Sequence, residues 1–402
     1  MALNYAQTVN FLRDMMRFKE MDSVLLAGPF GVGKSSCFRE VAELEGVPLI
    51  DQRLSQKDVG DLTGFPFLDK GRTYTAPPSW VPINDASVDQ LKKYFKLKDE
   101  EVVYTPPRGI LLLDEIDRSS REVQQCGFEL VLDRRLNMNP IQEGWLIGGG
   151  INLDTDIYHV NEMDPAFIDR FAFIPFAPTQ DEFIDHARGK GKFHEAVVNF
   201  LVVYPNFIDP TTDIIKKNPG KKLYSRRSWG KFSRYLLNYE LLRTVDESRT
   251  NLLEGTEESN ALLGAHAEIY LGSTVGGAFR NYVASHYKSL NADMILNKWD
   301  PTVEKTLKDL IEEKKSVEFG SIGKLVIHHI QDKQIKTLTS RQAHNLCEFM
   351  CTLPNEGVVG FWKNFNAQCK ETSTEWFKSP DHDRIASRIA ESLRKPMEGV
   401  KA

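Results

Sequence analysis

Through roughly its first 178 residues the chain alternates short apolar runs with longer stretches whose apolar positions recur every three or four residues. The runs predict buried strands and the stretches predict amphipathic helices, the order of an α/β domain. Asn4–Phe18 reads as a helix, Ser23–Ala27 as the first strand, and a helical pattern opens at Gly33. A second strand is expected over Val47–Leu54, after a Gly that ends the helix. From Asp58 to Pro107 the pattern is irregular, with a hairpin turned at Asp69–Gly71 and a charged helical piece around Leu91–Lys98. Insertions of this length in compact α/β domains usually carry function. Phe65, Phe67, Tyr74 and Trp80 within it suit either a partner grip or a satellite core.

The run GILLLDEID, Gly109–Asp117, predicts a central parallel strand covered on both faces. Ser119–Leu132 follows as an amphipathic helix with Ser119 or Ser120 as its cap, then a hairpin with Asn139–Pro140 at the turn. The strand WLIGGGIN delivers Asn152, and MDPAFIDRF forms a short helix that brings Arg170 to the start of the strand FAFIPF. Beyond Pro178 the pattern becomes helical and remains so, including Asn251–His286, DPTVEKTLKDLIEEKK and RIASRIAESLRK. GSIGKLVIHHIQDKQIKTL is read as containing a strand, on which adjacent His328 and His329 face opposite ways and cannot share a metal.

Composition narrows the class. The chain has 402 residues, a charged fraction of 27%, a hydrophobic fraction of 41% and a formal net charge of -5, an ordinary globular balance that gives no general reason to expect nucleic acid or a membrane as partner. Cys37, Cys126, Cys347, Cys351 and Cys369 are odd in number and scattered, which suits a reducing, cytoplasmic compartment. Cys347 and Cys351 stand one helical turn apart near His344, but without a second ligand pair they read as buried thiols rather than a metal site. The basic run Lys216, Lys217, Lys221, Lys222, Arg226 and Arg227 lacks interleaved aromatics and reads as a solvated loop more than as a seat for a phosphate backbone.

The chemistry concentrates at two strand ends. Gly28, Pro29, Phe30, Gly31, Val32, Gly33, Lys34, Ser35 and Ser36 fit the phosphate-binding loop, in which backbone N–H groups and a helix N-terminus face phosphates. Lys34 would neutralise the outer phosphates, and the Ser35 hydroxyl would ligate Mg²⁺. Asp114, at the carboxyl end of its strand, would join Ser35 as a metal ligand, and Glu115 would deprotonate the attacking water. Asn152 would sit near the level of the phosphates, where a polar side chain can position that water.

Together GPFGVGKSS, ILLLDEIDR, the strand ending at Asn152 and MDPAFIDRF resemble an AAA+ ATPase of the MoxR-like branch, which includes the CbbQ and NorQ activators and neighbours the magnesium-chelatase ATPase subunit. DVGDLTGFP, EVQQCGFELVLDRRL and the interval between Asn152 and Met163 resemble bacterial and phage members, and the resemblance covers about Val24 to Leu237. It departs at LIGGGIN, which is richer in glycine than the family's strand and leaves the register of Asn152 less firmly fixed. The resemblance implies a P-loop core with a parallel five-stranded sheet over 1–178, a helical lid over 179–290 and a mainly helical accessory region over 291–402. It further implies ATP and Mg²⁺ as ligands, Asp114 and Glu115 as Walker B, and Asn152 as sensor 1. Arg170 would be an arginine finger acting on the neighbouring subunit. Sensor 2 would be Arg227, with Arg226 its close competitor. A homo-oligomeric ring, usually hexameric, follows, acting as a chaperone-like remodeller of a protein partner such as one with a von Willebrand factor A domain. A DNA-directed motor or loader and a slow nucleotide-gated regulator are the alternatives on the same fold.

Overall fold

In a computed structural model, residues 2–69, 71–137, 139–152, 163–284, 292–312, 316–376 and 385 are described. The chain divides into two compact units, one of Met1–Phe183 with Thr212–Lys217, the other of Ile184–Thr211 with Asn218–Ala402. The 153–162 interval and nearly all of RIASRIAESLRK lie outside the described residues.

The first unit begins with α1 (Tyr5–Met15), closed at its start by a reciprocal Asn4–Gln7 capping box. β1 (Ser23–Ala27) is buried along its whole length. α2 (Lys34–Glu45) starts from Gly33 and ends at Gly46, both in the left-handed region that glycine adopts without a Cβ clash. β2 (Leu49–Arg53) is followed by α3 (Val59–Thr63), an antiparallel hairpin of β3 (Phe65–Asp69) and β4 (Arg72–Ala76), and α4 (Asp85–Phe95). β5 (Arg108–Asp114) leads through a single 3-10 turn to α5 (Arg121–Leu132), which Ser120 caps.

β6 (Arg135–Leu136) and β7 (Asn139–Pro140) pair with each other. The turn therefore does not fall at Asn139–Pro140 as the sequence predicts. Asn137, with φ of 53°, supplies the left-handed conformation a tight turn needs, so Asn139 and Pro140 are left to pair. β8 (Gly144–Ile151) and β9 (Phe171–Pro175) complete a parallel sheet of five strands in the order β2-β5-β8-β1-β9.

The period of two along each strand sorts the core into two layers. Val24, Leu26, Ile110, Leu112 and Leu146 meet α1 and α2 on one face. Leu25, Ala27, Leu111, Leu113 and Ile147 meet α5 and the excursion on the other. The aromatics of the excursion serve partly as a satellite core. Phe67 and Tyr74 are cross-strand partners that stack on each other at 5.8 Å, with Phe95 4.9 Å from Phe67 and Tyr94 5.0 Å from Tyr74, Trp80 packs on the sheet core, and Phe65 is 76% exposed.

In the second unit the helix Arg226–Val245 starts at a Ser225–Ser228 capping box, and Trp229, Phe232, Phe200 and Phe279 form a buried aromatic core. A further core collects residues from Ala292 to Ile385. The segment holding His328 and His329 is helical, Ser316–Asp332, rather than a strand. Ile322, Val326 and Ile330 recur at four-residue spacing and are buried in that core, so the helical stripe overrides the local strand-like composition.

The glycine run of β8 has a steric origin. A Cβ on Gly148 would stand 2.3 Å from the Phe38 ring of α2, so α2 can lie this close to the sheet only if the position stays bare. Gly148→Ala is expected to destabilise the first unit by about 1–3 kcal/mol, as overpacking of a filled core does. Denaturant titration of the full chain checks it; an unchanged midpoint would mean that the helix can move off the strand freely.

Candidate functional site

The carboxyl ends of β1, β5 and β8 lie side by side because Leu26 is in register with Gly150, and Gly150 with Asp114. Six of the residues singled out from the sequence meet there: Gly28, Pro29, Lys34, Ser35, Asp114 and Asn152. The Ser35 hydroxyl donates to Asp114 Oδ2 at 2.6 Å. Lys34 Nζ donates to Gly28 O at 2.7 Å, to Pro29 O at 2.8 Å and to Asn152 Oδ1 at 3.1 Å. The last contact fixes the side of the strand end on which Asn152 lies, which the glycine-rich sequence left open.

The loop itself owes its shape to glycine. Gly31 and Gly33 have φ of 75° and 104°, and a Cβ on Gly28 would stand 2.5 Å from Phe176 O. Gly28 N donates to Ile151 O at 3.2 Å, tying the loop to the end of β8. Tyr5 of α1 lies over the loop at Gly33 and donates its hydroxyl to Glu40 at 2.9 Å; burial and the Glu40 charge push its pKa up.

Glu115 turns the chain off β5 with φ of 57°, a conformation that costs a non-glycine residue about 1–3 kcal/mol and clusters at functional sites. Its backbone N–H donates to Asp114 Oδ1 at 2.9 Å, and its carboxylate accepts from the Ser55 hydroxyl at 2.5 Å. Ser55, just past β2, carried no signal in the sequence, since its partner is sixty residues away. Asp51 on β2 has its carboxyl pushed up by burial and by the nearby Asp114 charge. Asp117, in the turn after Glu115, is 1% exposed and accepts from both N–H groups of Asn152; burial raises its carboxyl pKa and those two bonds hold it back.

Arg170 stands apart from this group. Its guanidinium lies 4.4 Å from the centre of the Phe128 ring and donates to Ala166 O, with no salt bridge to Asp169 among the described residues. In the second unit Arg226 is 8% exposed and grips Asp209 through two nitrogens at 2.8–3.1 Å, while Arg227 beside it is exposed. Lys216 and Lys217 belong to the first unit and Lys221 and Lys222 to the second.

A glycine-shaped loop with its lysine, a hydroxyl paired with a carboxylate, and a second carboxylate beside it match the residue pattern known from nucleotide-hydrolysing loops. Residues 24–131 match the AAA family model, described as the ATPase family associated with various cellular activities. The matched residues run from β1 almost to the end of α5, all within the first unit, which has the AAA+ P-loop fold. No curated protein matches the chain. Among solved structures, a mutant of RuvB from Thermotoga maritima is 14% identical, with 78% of this chain and 81% of that chain covered and a TM-score of 0.33. The Thermotoga maritima RuvB Holliday junction branch migration motor is likewise 14% identical, at 77% and 74% coverage and a TM-score of 0.31.

The sheet leaves no room beside its acidic strand end. A Cβ on Gly150 would stand 2.7 Å from Asp114 Oδ1 and 3.9 Å from Lys34 Cε. Gly150→Ala is expected to push Asp114 away from Ser35 and weaken nucleoside triphosphate binding by about tenfold or more, equivalent to about 1.4 kcal/mol. Fluorescent-nucleotide titration reads the affinity, and an unaltered value in a folded variant would show that Asp114 is not confined by β8.

Proposed function

We propose that this chain is a MoxR-like AAA+ ATPase that forms a homo-oligomeric ring, a hexamer being the form the sequence resemblance implies, and uses ATP hydrolysis to remodel a protein partner, one with a von Willebrand factor A domain being the kind that resemblance favours. The observation that carries the catalytic part is the 2.6 Å bond between Ser35 and Asp114, which joins the loop after β1 to the acidic end of β5. Both groups are hard oxygen donors and fit Mg²⁺, which would be held by Ser35 and Asp114 and would neutralise phosphate charge when bound.

The chain's own groups divide the remaining work. Lys34 would exchange the neutral carbonyls of Gly28 and Pro29 for anionic phosphate oxygens, adding the acceptor's charge to bonds that the ammonium already assists. Glu115, released from Ser55, would take the proton of the attacking water, and the Asn152 carbonyl would orient that water. Arg227 is the arginine left exposed to serve as sensor 2, since Arg226 is held by Asp209. Arg170 rests on Phe128 and donates to the neutral Ala166 O, and a neighbouring subunit's phosphate, as an anionic acceptor, would compete with that carbonyl for the guanidinium. Among the described residues no helix is long and apolar enough to cross a membrane, and a cytoplasmic setting is part of this reading.

Two experiments test it. Lys34→Ala should lose nucleotide binding, whereas Glu115→Gln should bind ATP with Mg²⁺ and hydrolyse it at least about 10²-fold more slowly, because removing the base leaves the cradle intact. Equal loss of binding in both would contradict the division of roles. The ring is tested by mixing Glu115→Gln with Arg170→Ala, each nearly inactive alone. Mixed rings contain interfaces that pair an intact Glu115 with an intact neighbouring Arg170, so part of the activity should return, a finger in trans being worth about 10³–10⁵ in rate in GTPases. A mixture that co-assembles and stays inactive would show that Arg170 does not act across an interface.

A further inference from the structure

An asparagine side chain carries an acceptor and a donor of nearly equal shape, so which of them faces a site is decided by the partners of both. At Asn152 both ends are decided. Asp117 Oδ2 accepts from the Asn152 backbone N–H at 2.9 Å and from its Nδ2 at 3.1 Å, and an ionised carboxylate can only accept. At the other end Lys34 Nζ, which can only donate, lies 3.1 Å from Asn152 Oδ1. The two constraints agree, and the carbonyl oxygen faces the phosphate loop.

We propose that Asp117 is a positioning residue for hydrolysis: by clamping the backbone and the side chain of Asn152 it holds the amide so that an acceptor, never a donor, faces the site. This rests on the ATPase reading above and assigns a task to a residue that reading leaves unused. Stability alone does not account for Asp117. One of its oxygens takes both bonds, while the other, Oδ1, is buried with no hydrogen-bond partner among the described residues, an arrangement that is unfavourable for folding. Its place in the chain gives the clamp reach. Asp117 lies in the 3-10 turn Ile116–Arg118 that begins at Glu115, so one rigid turn sets both the carboxylate that takes the water's proton and the amide that orients the water. With Asp117 removed, the Asn152 amide can rotate and offer its NH₂ to the site, where it would bind a phosphate oxygen and leave the water without its acceptor.

The test is a double-mutant cycle on steady-state ATP hydrolysis by the full chain, with Asp117→Ala, Asn152→Ala and the pair. Asp117→Ala should lower kcat on the order of 10-fold to 100-fold, the usual cost of losing a group that orients another functional side chain, with KM changed less than about twofold. In the Asn152→Ala background the same substitution should have no further effect, because the amide it orients is gone. A loss that multiplies in the double variant, or an unchanged kcat in Asp117→Ala, overturns the proposal. If Asp117→Ala fails to fold by circular dichroism, Asp117→Asn takes its place in the cycle. Its carbonyl can accept the same two bonds, so kcat should fall less, and that loss too should vanish without Asn152. A wild-type chain that binds ATP but does not hydrolyse it refutes the ATPase reading and this inference with it, whereas an active wild type with a multiplicative cycle refutes the inference alone.

Discussion

A parallel sheet buried on both faces confines chemistry to its ends. β1, the apolar part of β5 and nearly all of β8 are inaccessible to water, so no polar side chain can be placed along them without a partner. At the carboxyl edge the strands run out together, and polar groups appear there on three adjacent strands at once. The phosphate loop, Asp114 with Glu115, and Asn152 are consequences of one geometric limit, and register alone brings them within hydrogen-bonding distance.

That limit also explains how much could be read from the sequence. Lys34 and Ser35 stand out by the glycine spacing of the loop after β1, and Asp114, Glu115 and Asn152 lie at or just past the end of an apolar run, so local pattern marked all five as candidates before any contact was known. The five strands and the hairpin at Asp69–Gly71 were legible for the same reason. Ser55 and Asp117 were not, because what distinguishes them is a partner sixty and thirty-five residues away, and a serine or aspartate near a strand end is otherwise unremarked. His328 and His329 were misread as strand because LVIHHI is rich in β-branched residues, while the burial that makes it a helix comes from residues beyond the window.

The glycines of β8 illustrate a signal that was visible but not interpretable. In sequence, Gly148, Gly149 and Gly150 weaken the case for a well-fixed strand, since glycine is flexible and packs nothing. In the fold each of the three is crowded: Gly148 by Phe38, Gly149 by Leu25 and Ile116, Gly150 by Asp114. The run therefore marks where helix, neighbouring strands and acidic site approach the backbone most closely, and the missing side chains fix the strand's neighbours rather than loosening them.

The hydrogen bonds at the strand ends form a connected set, and connection has an energetic consequence. Asp117 holds Asn152, Asn152 accepts from Lys34, Lys34 caps the carbonyls of Gly28 and Pro29, and Ser35 holds Asp114, whose other oxygen accepts from the backbone of Glu115. An anion entering the loop must compete with acceptors already bonded to Lys34, so the gain on binding is the difference between phosphate and amide or carbonyl as partners for an ammonium. A neutral ligand has no such advantage and leaves the set as it is. On the proposed ATPase reading, discrimination for charge is thus built into the resting arrangement, before any contact to a base or sugar is made.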